Sequence, residues 1–301
     1  MYSSCTVCPR RCKVDRRKVL GFCNSSDTVS VSRADRHMWE EPIVSGDKGS
    51  GTVFFAGCNL KCVYCQNVKI SRGNFGYKLT HEKLKQLFLE IDKSGVHNIN
   101  LVTPTHFLPS IIEVLKEIKN DLSVPVIYNC SGYENVSLIK ECRGLIDVFL
   151  TDFKYKSDVL SKKYSSCPDY YEKTLNALNC MIDVAGPINI ENGLIKNGVI
   201  VRHLILPSHK DDSIDLLKSL YEKFGSDKFI VSLMRQFTPN TECEKYPEIN
   251  RTLTSLEYKR VTDVFEECGF KGFLQENSSV GEKYTPDFNE PGEFLKSVLK
   301  L

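Results

Sequence analysis

The run Gly57-Cys58-Asn59-Leu60-Lys61-Cys62-Val63-Tyr64-Cys65-Gln66-Asn67 places three cysteines in the spacing C-x3-C-x2-C. Thiolates at these intervals can wrap one face of a cubane and ligate three irons of a [4Fe–4S] cluster. A cluster held wholly by protein as an electron carrier takes four thiolates. Three leave one iron open, and an open coordination site is where chemistry can occur. The alternative is a zinc site that borrows a fourth ligand from elsewhere.

Ten further cysteines surround this triad in two different ways. Cys5, Cys8, Cys12 and Cys23 crowd the N-terminus, whereas Cys130, Cys142, Cys167, Cys180, Cys243 and Cys268 are scattered singly and read as small apolar core residues. The total of 13 is odd, and MYSSCTVCPRRCKVDRR carries charge where an export signal needs an apolar segment. Both features argue against a disulfide framework and for metal ligation, and they set the expected location as cytoplasmic. The N-terminal four, C-x2-C-x3-C-x10-C, suit a structural zinc, a rubredoxin-like iron or a second [4Fe–4S] cluster, since the spacing is not that of paired C-x2-C units. Arg10, Arg11, Lys13, Arg16, Arg17 and Lys18 run through the same segment against Asp15 alone. They read as a solvated face on a small knuckle, not as a nucleic-acid contact.

The 301 residues are 41% hydrophobic and 26% charged, a balance that excludes disorder and supports one large core. No apolar run reaches the roughly 18 residues of a membrane span, and the net charge of +2 selects no class of partner. Hydrophobic periodicity then gives six strands alternating with helices. The strands are Gly51–Ala56, Asn98–Val102, Val124–Asn129, Ile146–Thr151, Val199–Leu206 and Phe229–Leu233. The helices are Thr80–Ser94, Phe107–Lys119, Glu134–Cys142, Pro168–Val184, Asp212–Phe224 and Leu253–Cys268. Alternation of this kind means α/β, a parallel sheet with helices outside. Ser45–Gly51 (SGDKGSG) lacks the ending of a phosphate-binding loop and reads as a tight turn. The expected organisation is a Cys-rich metal-binding segment and linker over 1–45, the α/β body over 46–275, and an extension over 276–301.

With Tyr64 before its last cysteine, the triad resembles the signature of the radical S-adenosylmethionine (SAM) superfamily. The longer run Glu40–Ser71, with NLVTPTHF at Asn100–Phe107, YNCSGY at Tyr128–Tyr133, LTDFKY at Leu150–Tyr155, VRHLILP at Val201–Pro207 and SLMRQFTP at Ser232–Pro239, resembles the pyruvate formate-lyase-activating-enzyme-like iron–sulfur proteins. The similarity runs from about Cys5 to Glu276. It implies a partial (β/α)6 TIM-like barrel with functional groups at the C-terminal strand ends. It also implies an oxidoreductase that reductively cleaves SAM at the cluster, yielding a 5′-deoxyadenosyl radical for hydrogen abstraction from a protein or peptide. The electron would come from a flavodoxin- or ferredoxin-like donor. Tyr64 would pack beside the adenine. Thr103, Thr105 and His106, standing where the superfamily usually has a Gly-Gly-Glu segment, would receive the ligand's ammonium. Asn129 and Ser131 would bind ribose, and Lys154 beside Asp152, together with Arg202, would face its carboxylate. His203 has the opposite parity and belongs outside the barrel; Cys130 belongs in the core; Arg235 and Gln236 would line the mouth. Radical modification of a nucleic acid and non-catalytic electron transfer are the competing readings.

Overall fold

The computed structural model describes residues 2–73, 75–275 and 286–301. From the N-terminus, a cysteine-bearing segment leads into β1 (Ser30–His37), α1 (Pro42–Ser45) and β2 (Ser50–Phe55). After the cysteine loop come α2 (Val68–Gly73), β3 (Tyr77–Lys78), α3 (His81–Lys93), β4 (Ile99–Val102), α4 (Leu108–Ile118), β5 (Val126–Cys130), α5 (Val136–Glu141) and β6 (Val148–Asp152). Then follow α6 (Asp158–Ser165), α7 (Tyr170–Ala185), β7 (Asn189–Glu191), β8 (Leu194–Leu204), α8 (Lys210–Phe224), β9 (Ile230–Met234), α9 (Ser255–Glu267), β10 (Gly272–Leu274) and α10 (Glu293–Leu299).

The sheet order is β10-β9-β8-β6-β5-β4-β2-β1-β3. Every neighbouring pair from β2 to β10 is parallel, while β1 is antiparallel to both β2 and β3. The six expected strands are all present, and the sheet order ends at β3 and β10 without closing, as a partial barrel requires. Helices cover the outer face through the large cluster that includes Leu87, Ile111, Leu115, Leu178 and Leu216. Ile127, Leu150, Ile200 and Ile230 join Val44 and Ile195 in a second, separate cluster. They alternate with Asn129, Asp152, Arg202 and Ser232 two positions on, so one strand face is apolar low down and polar at its C-terminal end.

Several boundaries differ from expectation. The linker proposed before residue 46 contains β1, a full member of the sheet. Its charged residues Arg33, Asp35 and Arg36 hide the strand in the sequence. Cover comes from far along the chain: Ala34 N–H donates to Pro291 O at 2.8 Å, and α10 buries Leu295 and Val298 against this edge. The extension is therefore packed onto the body, with 276–285 outside the described residues. β8 begins five residues early because Asn192 and Gly193, at φ 52° and 78°, turn a hairpin with β7. The helix expected from Glu134 starts at Val136, capped by Asn135, whose side chain accepts from Ser137 N–H. No helix among the described residues is long and apolar enough to cross a membrane.

Candidate active site

A cavity of about 380 Å³ opens at the C-terminal strand ends and is bordered by Cys58, Cys62 and Cys65. The loop that carries them leaves β2 through Gly57 at φ 88°, where a Cβ would lie 2.2 Å from Ser25 Oγ and 2.5 Å from Cys23 O. Only glycine fits that turn. Cys58 N–H then donates to Cys23 O at 3.2 Å, and Cys65 N–H to Cys62 O at 3.2 Å. The sulfurs have their own donors: Leu60 N–H reaches Cys58 Sγ at 3.4 Å, and Ser165 Oγ–H reaches Cys62 Sγ at 2.9 Å. Arg72 braces the loop from outside through Cys62 O at 2.7 Å.

Burial pushes the Cys58 thiol up to about 12, with the neighbouring Cys62 adding to the rise. Such a thiol keeps its proton unless a metal cation replaces it. Tetrahedral zinc would hold its sulfurs about 3.8 Å apart, given Zn–S bonds of about 2.3 Å. Among the described residues, the one trio of His, Cys, Asp or Glu ligand atoms mutually within 4.8 Å is His81, Glu82 and Glu117. The Cys58, Cys62 and Cys65 sulfurs do not form such a trio. Three thiolates on one loop are the donor set of a [4Fe–4S] cluster with one iron left open.

Around this loop the cavity gathers Tyr64, Thr103, Asn129, Ser131, Asp152, Lys154 and Arg202. Tyr64 is anchored by its hydroxyl, 2.6 Å from Tyr155 Oη, which is 2.7 Å from the same Ser165 Oγ that serves Cys62. Thr103 takes φ 57°, a left-handed backbone that a β-branched residue rarely adopts. Its N–H donates to Asn129 O at 2.8 Å. Ser131 Oγ–H donates to Asn59 Oδ1 at 3.4 Å, which ties the third parallel strand to the cysteine loop. Lys154 and Asp152 form an ion pair at 2.6 Å on the cavity wall.

Three expectations change. Thr105 and His106 do not border the cavity. Thr105 Oγ1–H donates to the buried Glu134 at 2.7 Å, and His106 Nε2–H to Ala56 O at 2.7 Å. The 3-10 turn Thr105–Phe107 rotates both side chains under the barrel wall, and burial lowers His106 to about 3, fixing it neutral. Arg202 does border the cavity, but its fork is engaged: Nε donates to Glu41 at 2.8 Å, Nη2 to Glu41 at 2.6 Å and also to Glu40. The carboxylate partner expected from a ligand is thus supplied by the chain. Arg235 packs over the Tyr258 ring at 4.6 Å and leaves the mouth to Gln236.

His203 is buried outside the polar face, against Phe153 O at 2.7 Å. Cys130 is buried, and its thiol donates to Thr151 Oγ1 at 3.5 Å at the cavity's edge. The N-terminal basic run is not one solvated face, because Arg16 is buried and Arg10 donates to Asn59 O at 2.9 Å. Glu40 and Glu41 were not singled out from the sequence, although two adjacent acids before Pro42, ahead of a buried strand, are a signal. Ser165 carries no such signal; only the fold brings it to Cys62.

The Radical SAM superfamily model matches residues 52–220. The uncharacterised protein MJ0674 of Methanocaldococcus jannaschii is 30% identical over 275 residues, covering 88% of this chain and 75% of that protein. MJ1227 of the same organism, named provisionally as a glycyl-radical enzyme activating enzyme, is 27% identical over 150 residues, covering 48% of this chain and 58% of its own length. Among solved structures, the [FeFe]-hydrogenase maturase HydG aligns with TM-score 0.49 at 17% identity, over 80% of this chain. The chain spans about half of HydG, 52%.

Proposed function

The chain belongs to the radical SAM superfamily and is an enzyme of oxidoreductase type, and we propose that it abstracts hydrogen from a protein or peptide backbone in the manner of a glycyl-radical activase. The observation that carries this reading is convergence. Three cysteines on one loop share a cavity with polar groups from five parallel strand ends. When bound, a site-open [4Fe–4S] cluster and SAM supply one-electron reductive cleavage of the sulfonium and a 5′-deoxyadenosyl radical.

The chain's own residues position and shield. Asn129 and Ser131 offer short hydrogen-bonding groups suited to ribose hydroxyls. Lys154 brings a cation to the wall for a ligand carboxylate, with Asp152 holding it in place. Arg202, paired internally, instead fixes the segment carrying Glu40 and Glu41 across the barrel. A peptide substrate is favoured by the partial similarity to MJ1227. The electron comes from a flavodoxin- or ferredoxin-like donor, and a metal occupies Cys5, Cys8, Cys12 and Cys23.

The test is anaerobic reconstitution with dithionite and SAM. We expect 5′-deoxyadenosine well above a Cys58→Ala control; equal amounts from both would overturn the reading. For the substrate class, a glycine peptide deuterated at Cα should pass its label into 5′-deoxyadenosine. Absence of label across a panel of such peptides would remove the peptide assignment while leaving the cleavage chemistry standing.

A further inference from the structure

The N-terminal segment is built around a buried cation. Arg16 is 1% exposed. Its Nε donates to Ser25 O at 3.2 Å, Nη1 to His106 O at 2.6 Å and Nη2 to Ser26 O. The guanidinium also lies 4.7 Å from the Tyr2 ring centre and 5.5 Å from that of Phe107. Each of those oxygens is a neutral carbonyl, and among the described residues no carboxylate pairs with Arg16. A charge taken out of water in this way needs an opposite charge nearby.

Sulfur is what remains. Arg16 Nη1 donates to Cys5 Sγ at 3.9 Å. A Cβ placed on Gly21 would sit 3.3 Å from Cys23 Sγ and 3.5 Å from Arg16 Cδ, so Cys23 flanks the stem of the same side chain. Cys5, Cys8 and Cys23 are all buried, and Cys12 is half-buried. Four thiolates around one metal centre would give Arg16 its counter-charge. No three of these four sulfurs lie mutually within 4.8 Å, a wider separation than the roughly 3.8 Å between sulfurs on one tetrahedral zinc.

We propose that Cys5, Cys8, Cys12 and Cys23 hold a second [4Fe–4S] cluster, closed by four thiolates and set against Arg16. It adjoins the first site directly, because Cys23 O accepts the Cys58 N–H at 3.2 Å and Arg10 clamps Asn59 O at 2.9 Å. The assignment deepens the reading above, and rests on it only for the cluster at Cys58, Cys62 and Cys65.

The experiment uses the full chain, loaded anaerobically with iron and sulfide, with iron and zinc counted per chain and the dithionite-reduced protein examined by electron paramagnetic resonance. A triple variant, Cys58→Ala with Cys62→Ala and Cys65→Ala, leaves the N-terminal segment intact. We expect about eight irons in the wild type and about four in the triple variant. The variant's signal should be indifferent to added SAM, and the wild-type spectrum should show magnetic coupling that the variant lacks. A wild type with about four irons and one zinc, or a triple variant without iron, would overturn the proposal. If instead the wild type and the variant both carried about four irons that ignore SAM, the N-terminal cluster would stand and the radical reading would fall.

Discussion

Thr103 shows how a single residue can record function as strain. A β-branched residue at φ 57° beside the cavity stores about 1–3 kcal/mol. Thr103→Gly should release part of it and stabilise the fold by about 1 kcal/mol in urea denaturation, against the entropy glycine restores to the unfolded chain. A destabilised Thr103→Gly would mean that the side chain, not the backbone, is what the site retains. Ser165 meets the cluster loop twice: its carbonyl accepts from Lys61 N–H at 3.2 Å, and its side chain donates to Cys62 Sγ at 2.9 Å. Donors to a cluster sulfur raise its reduction potential, so Ser165→Ala should lower the midpoint in a spectroscopic redox titration while iron content stays constant. An unchanged midpoint would reduce Ser165 to a packing residue. Neither effect is readable from sequence, because one depends on a dihedral angle and the other joins positions 103 residues apart.

The segment between β1 and β2 lies mostly within the stretch 1–45 expected as metal-binding segment and linker. Read as linker, it carries Glu40 and Glu41 across the barrel to Arg202 on β8, while Asn100 on β4 donates to Glu40 at 2.9 Å. Removing the shared cation strands two buried carboxylates. Arg202→Ala should therefore cost about 3–5 kcal/mol in chemical denaturation, and Glu41→Gln less, since Glu40 would still pair with the arginine. Equal losses from the two variants would contradict this division. Two other elements divide legible from illegible. The Asn192-Gly193 turn is legible in the sequence, since Asn-Gly is in itself a hairpin signal. β1 was not legible, because its burial depends on Pro291 and α10, more than 250 residues later.

For the molecule as a whole, two buried imidazoles give stability a slope with acidity. Burial lowers His106 to about 3 and His203 to about 4. Below the ordinary histidine value near 6.5, the unfolded chain takes protons that the folded one refuses. Stability should therefore fall as pH drops from about 6.5 toward 4, with a shallower slope in His203→Gln; thermal melts across that range would show it, and parallel slopes would refute it. Six of the seven parallel strands, the helices between them and the loop of Cys58, Cys62 and Cys65 follow from local pattern, because periodicity and short-range ligand spacing are properties of neighbouring residues. What only the tertiary structure decided is which polar groups face the cavity. Thr105 and His106 turned under the wall, Arg202 found acids within the chain, and Arg16 went inside among thiols. Those outcomes depend on which distant segment supplies the opposite charge or the missing hydrogen bond, and no local pattern encodes that choice.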